Sequence, residues 1–169
     1  MLPSSRSPKP YNVHLDETSS YYYFLTNQDL VYICGFENLT PKLTPLVGIY
    51  DIEIGEFMFT PQRRDDARHD ERVAPTIVEL MKSYFTDENH VLVYLCDASD
   101  GRPAARQALF IRWHRNMTDM IDHEPVQISV GEVIVYGGML TRKDFPYKDT
   151  MKEQLSGKAV GMIATKLRR

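Results

Sequence analysis

Two aspartates and two arginines crowd one short stretch of this chain. Asp97 and Asp100 lie in a polar break, DASDGR, directly after the apolar run VLVYLC, and Arg102 and Arg106 begin the segment that follows. A buried strand feeding a helix through a short loop would bring the four side chains to one corner. Guanidinium groups one helical turn apart can clamp an anion bidentately, and ligands of α/β sheets gather at the carboxyl ends of strands. The same four charges can instead close a structural lock, with Asp97 neutralising an arginine turned toward the core. On a helical wheel Arg102 and Arg106 fall on the side of Leu109 and Trp113. Arg106 is therefore expected to be the more buried of the two, bonded to Asp97, to Asp100 or to a carbonyl of their loop.

Other candidate groups carry less chemistry. The stretch Asp65, Asp66, Ala67, Arg68, His69, Asp70, Glu71 offers oxygen and imidazole donors for a divalent cation, but Arg63, Arg64, Arg68 and Arg72 compete for its acids. It is expected to be an exposed irregular loop without metal. Asp119, Asp122, His123 and Glu124 form a similar group with no second Cys or His at ligand spacing. His14, His90 and His114 stand alone in sequence. No serine sits in a G-x-S-x-G setting, and Cys96 lies in an apolar run where its thiol should be hard to ionise. No catalytic residue, metal or cofactor is assigned.

Composition bounds the rest. The chain has 169 residues, enough for one core, with 43% hydrophobic and 25% charged residues. A net charge of -3 gives no reason to expect a nucleic-acid partner. Cys34 and Cys96, the two cysteines, read as reduced, buried thiols in neighbouring strands of a cytoplasmic protein. The start, MLPSSRSPKP, lacks the apolar centre of a signal peptide, and no apolar run approaches the ~20 residues that span a bilayer.

Residues 1–19, polar and rich in Pro and Ser, are expected to form a mobile tail ahead of one domain over 20–169. YYYFLT and LVYICGF around Asn27-Gln28-Asp29 make a β-hairpin over Tyr21–Phe36. Both of its faces carry bulk, which implies cover on both sides, by helices or by a second copy of the chain. Pro41 and Pro45 are read as breaks. A strand follows over Leu46–Thr60, with Gly55 as a bulge or bend. One helix is expected from about Val73 to Phe85 with Ile77, Val78, Leu80, Met81, Tyr84 and Phe85 inward. A second is expected from about Arg102 to Met117, with Ala105, Ala108, Leu109 and Trp113 inward and Pro103 in its first turn. Asp119–Glu124 is read as a polar link before two late strands, with Gly137-Gly138 a bulge or close approach. Residues 148–169 are ambiguous between helix and strand. The sum is an α+β fold: one mixed, mostly antiparallel sheet with two helices packed on it.

The segments YYYFLT…VYICGF, DERVAPTIVELMKSYF and VYLCDASDGRPAARQALFIRW resemble a family of small bacterial proteins known only as a domain of unknown function. The likeness runs from about Tyr21 to Leu140 and implies no active site. The order of elements is also similar to the later two-thirds of the acetyl-coenzyme A-dependent N-acetyltransferases. Those enzymes hold the cofactor's pyrophosphate at a [QR]-x-x-G-x-[GA] loop. Gln62 and Ala67 fit that pattern, but Asp65 stands where it requires glycine, and a carboxylate there would repel the phosphates. Two readings of function follow. The favoured one is a non-enzymatic interaction or regulatory module, with the Tyr21–Phe36 hairpin pairing across a two-fold axis. The alternative is a diverged acyltransferase-like or anion-binding enzyme using Asp97, Asp100, Arg102 and Arg106.

Overall fold

The computed structural model describes residues 8–61, 68–96, 101–130 and 132–154. Seven strands form one sheet: β1 His14–Asp16, β2 Tyr21–Leu25, β3 Val31–Asn38, β4 Glu53–Pro61, β5 His90–Cys96, β6 Ile121–Val130 and β7 Val133–Arg142. Their order across the sheet is β1-β2-β3-β4-β5-β7-β6. Every neighbouring pair is antiparallel except β4 and β5. The helices are α1 Thr40–Val47, α2 Val73–Tyr84, α3 Pro103–His114 and a short α4 over 148–154. The fold is α+β with a mixed sheet, and no helix among the described residues is long and apolar enough to cross a membrane.

Period-2 alternation divides the strands between two faces. Phe24, Cys34, Phe57, Leu92, Tyr94 and Leu140 point to the face covered by α2 and α3, where they meet Ile77, Met81, Phe110 and Trp113 in the main core. The inward residues of α2 are those its spacing predicts, with Thr76 added. On the reverse face a smaller core joins Ile54, Val91 and Met139 to Leu43 and Val47 of α1, and to Phe145 and Met151. Asp122 and Glu124 also point this way and pair with Lys148 and Lys152 of α4.

Several expectations change. Pro41 and Pro45 do not break the chain: both lie in α1, Pro41 in the first turn where its missing N–H costs nothing. Leu39, Leu43 and Val47, each four apart, supply the buried stripe, and Gly48 closes the helix at φ 73°, its N–H donating to Thr44 O. The strand read as starting at Leu46 starts at Glu53. Gly55 is no bulge, since the register runs through it without a slip on both sides. It is a close approach: a Cβ there would lie 2.9 Å from Cζ of Tyr84, whose ring crosses it from α2. The polar link ends at Met120, and Ile121–Glu124 already belongs to β6. In α3, Ala105 and Ala108 are exposed and Leu109 only half-buried; the inward residues are Gln107, Phe110 and Trp113.

Contacts also begin upstream of Tyr21. Tyr11 is buried against Phe24 and the start of α2, and β1 pairs with β2 as the sheet's edge. Its N–H donates to Thr76 Oγ1 (2.8 Å) and its hydroxyl to Asp70 Oδ2 (2.7 Å). Arg72 covers its ring 3.9 Å from the centroid and donates to the carbonyls of Lys9 and Pro10. One aromatic residue therefore anchors a stretch whose composition alone suggests a tail.

Candidate functional site

Of the four residues in the charged corner, Asp97 and Asp100 lie outside the described residues. Arg102, just before α3, is exposed, and Arg106, one turn inside the helix, is half-buried. That ranking is the one expected, but Arg102 does not turn toward the core, because the inward face of α3 is centred on Gln107 and Phe110. Arg106 reaches the strand end electrostatically. Burial pushes the Cys96 thiol up to about 11, and the positive charge of Arg106 offsets part of that rise.

A second constellation lies under the same helix, and the sequence reading did not assemble it. Tyr94 of β5 is fully buried, with its ring stacked on Phe110 at 3.7 Å and 3° between planes. Its other face lies over Gly138 of β7, where a Cβ would come within 2.7 Å of the ring. The ring therefore crosses β7 and brings its hydroxyl 2.8 Å from Nε2 of His123 on β6. Gln107 of α3 sits beside the Tyr94 side chain. Its Nε2 donates to the carbonyls of Gly137 (2.8 Å) and Val126 (3.1 Å), joining the first turns of α3 to both strands of the last hairpin. At the other end of α3, His114 Nε2 donates to Ile121 O at 2.8 Å. The His114 and His123 rings meet edge-on with centroids 5.3 Å apart.

Burial disfavours the charged forms of His123 and Tyr94 in this cluster. Desolvation, with a smaller push from His114, lowers His123 to about 4. Burial raises the Tyr94 phenol above its ordinary value, with a further push from Cys96. Neither a thiolate nor a phenolate is available near neutral pH, and Nε2 of His123 is engaged by the Tyr94 hydroxyl. The arrangement holds helix to sheet and does not trade protons.

The remaining candidates are dispersed. Alternation splits Asp119–Glu124: His123 faces α3, Asp122 and Glu124 face α4, and Asp119 is exposed. Of the loop 61–72, residues 62–67 lie outside the described residues; Arg68 and His69 are exposed, and Asp70 serves Tyr11. Cys34 and Cys96 are free and buried, but their strands are separated by β4, so they are not neighbours. A signal for the missed cluster existed in IDHEPV, where Ile121, His123 and Pro125 share one face once the strand begins at Ile121.

One feature of the sheet bears on ligand binding. β4 and β5, the one parallel pair among the described residues, are bonded from Glu53–His90 to Glu56–Val93 and then part. Phe57–Pro61 and Tyr94–Cys96 run on without pairing to each other. On the helical side of this parting Phe110 and Trp113 pack edge-on to Phe57, and Trp113 edge-on to Phe59.

Residues 69–155 match the model of a family described as a family of unknown function, DUF6169. No curated protein matches the chain.

Proposed function

The chain belongs to this family of unknown function, and we propose from its own surfaces that it is a non-enzymatic interaction module that pairs with a second copy of itself. The observation that carries the reading is an exposed apolar strip on one face of the first hairpin. Tyr23, Leu25, Val31, Ile33 and Met58 lie side by side on β2, β3 and β4, and Leu25 is 55% and Ile33 44% exposed. Core-type residues in a contiguous exposed patch mark a docking surface. The strip itself carries no charged side chain, so it is complementary to its own copy across a two-fold axis. Both sheet edges discourage growth by strand addition: β1 has three residues and β6 carries Pro125 at mid-strand. Face-to-face packing of two sheets, roughly 10 Å apart, is the arrangement left. Two free thiols suit the reducing cytoplasm, which is the compartment we infer.

The test is mass in solution by light scattering, for wild type and for Leu25→Lys combined with Ile33→Lys. A dimeric wild type and a folded monomeric variant are expected. A wild type that stays monomeric at high micromolar concentration would overturn the reading.

A second reading has its own support. β4 and β5 stop pairing before their carboxyl ends, and α/β sheets bind ligands at the carboxyl ends of parallel strands. This agrees with the resemblance to acyltransferases and with an anion held near Arg102 and Arg106. Thermal shift with acetyl-coenzyme A separates the two readings, because a ligand at 100 times its Kd adds about 2.7 kcal/mol. No shift at millimolar ligand removes the second reading.

A further inference from the structure

The stretch ahead of β1 is held in the way a bound peptide is held, through backbone groups and one phenol. The carbonyls of Lys9 and Pro10 accept from Arg72 Nε and Nη2 at 2.7 and 3.1 Å, and the Tyr11 N–H donates to Thr76 Oγ1 at 2.8 Å. The phenol donates to Asp70 Oδ2 and accepts the Asn27 N–H, while its ring lies between Phe24 and the Arg72 guanidinium. Lys9 itself is exposed, and Pro10 brings no N–H that needs a partner. What is recognised is an extended segment with proline before tyrosine.

The receiving groups are positioned by bonds in which that segment takes no part. Asp70 Oδ1 accepts the Arg72 N–H at 2.9 Å, which leaves Oδ2 for the phenol. Thr76 donates its hydroxyl proton to Arg72 O at 2.6 Å, so only its lone pairs face the Tyr11 N–H. Asn27 sits in a turn closed by Thr26, whose carbonyl and hydroxyl accept the N–H groups of Gln28, Asp29 and Leu30. Gln28 bonds the backbone of Arg68 through both ends of its amide, at 2.9 and 2.7 Å, and ties this turn to the lead into α2. Donors and acceptors fixed in advance lower the ordering cost of binding.

We propose that Phe24, Asn27, Asp70, Arg72 and Thr76 form a binding site for an extended Pro–Tyr segment of a partner protein. Residues 9–11 occupy it as an intramolecular ligand. The partner's segment displaces them and, three residues on, pairs with β2 in place of β1, a mode of strand addition. An attached ligand competes at a millimolar effective concentration, so the partner needs contacts that the resident segment lacks. The edge of β2 offers them: β1 pairs only with Tyr21, Tyr22 and Tyr23, and β2 runs on to Leu25. Phe24 points to the helices, whereas the strip of Tyr23 and Leu25 points away from them, so this site and the self-pairing face are separate.

The test uses the full chain and a fluorescein-labelled peptide of residues 8–16, PKPYNVHLD, with binding read by anisotropy. In the Tyr11→Ala chain the resident segment lacks ring and phenol, so the peptide should bind saturably. Wild type should bind it far more weakly, because its own segment competes. The Tyr11→Phe peptide should bind the Tyr11→Ala chain about tenfold more weakly than the Tyr peptide, the ratio for one buried hydrogen bond. Arg72→Met, added to the Tyr11→Ala chain, should weaken binding again by removing both carbonyl contacts. No saturable binding up to about 1 mM, the effective concentration of an attached segment, would overturn the proposal. So would equal affinity for the two peptides, or equal affinity of wild type and Tyr11→Ala. Circular dichroism checks the fold of each chain. Should Tyr11→Ala not fold, Tyr11→Phe replaces it, keeping the ring between Phe24 and Arg72, and the same outcomes decide.

Discussion

Tyr94 reaches His123 over the backbone of Gly138, with 2.8 Å between hydroxyl and Nε2. The contact depends on a side chain that is absent. A methyl at position 138 would come within 2.7 Å of the Tyr94 ring, and Phe110 on the opposite side leaves the ring nowhere to go. Gly138→Ala should therefore cost about 1–3 kcal/mol, the usual range for overpacking a filled core. Combined with Tyr94→Leu the cost should shrink, because the clash is gone. A double-mutant cycle in urea measures this; additive effects would show that the ring does not need the glycine.

Gln107 is the one buried polar residue of α3, and its amide serves two carbonyls on two strands. Gln107→Leu keeps the volume roughly constant but strands Gly137 O and Val126 O away from water. A loss of about 1–3 kcal/mol is expected, with the slope against denaturant unchanged. Equal stability of variant and wild type would mean that neither carbonyl depends on this amide.

The two arginines of the charged corner should separate under the same assay. Arg102 is exposed, and Arg102→Ala should stay within about 0.5 kcal/mol of wild type. Arg106 is half-buried and acts on Cys96, so Arg106→Ala should cost more and should raise the Cys96 thiol further above about 11. If its removal also strands a buried carboxylate, as a lock with Asp97 requires, the loss should reach roughly 3 to 5 kcal/mol. Alkylation rates against pH, beside denaturant midpoints, check both parts. Indistinguishable variants would remove the lock.

The α+β class, the first hairpin, α2 and the β5–α3 passage were legible because their periodicities are strong and their punctuation is conventional. What was not legible depended on partners distant in sequence. Pro41 and Pro45 argue locally against a helix, yet Leu39, Leu43 and Val47 bury enough to hold one. The inward face of α3 was misplaced by counting alanines as core, when the sheet's aromatic side chains ask for Phe110 and the hairpin's carbonyls ask for Gln107. His123 looked like one polar residue among four, and only the strand register separates it from Asp122 and Glu124.

Tyr11 shows the same limit from the other end of the chain. Nothing nearby in sequence needs it, but its hydroxyl donates to Asp70 and accepts the Asn27 N–H at 3.0 Å, joining the N-terminal stretch, the first turn and the lead into α2. Tyr11→Phe keeps the ring between Phe24 and Arg72 and deletes both bonds. About 1–2 kcal/mol should be lost, and the amide of Asn27 should exchange its hydrogen faster. Unchanged exchange at Asn27 would show that the junction does not hold the turn.

The last expectation concerns stability against pH and follows from the sign of one shift. The His123 pKa in the folded chain is lowered to about 4, from an ordinary 6.5, chiefly by burial. The unfolded state therefore binds this proton at a pH where the folded state refuses it, and stability falls as pH falls. The contribution is intact above pH 6.5 and is lost progressively down to about 4, below which both states are protonated and the curve flattens. At 1.36 kcal/mol per pH unit the full loss is on the order of 3 kcal/mol, an upper figure because the ring is only part-buried. Urea midpoints at pH 7, 5.5 and 4 should fall steadily for wild type. His123→Gln binds no proton here, so the difference between the two proteins should narrow or reverse as pH drops. A constant difference across that window would mean that His123 is as easily protonated in the folded chain as in the unfolded one.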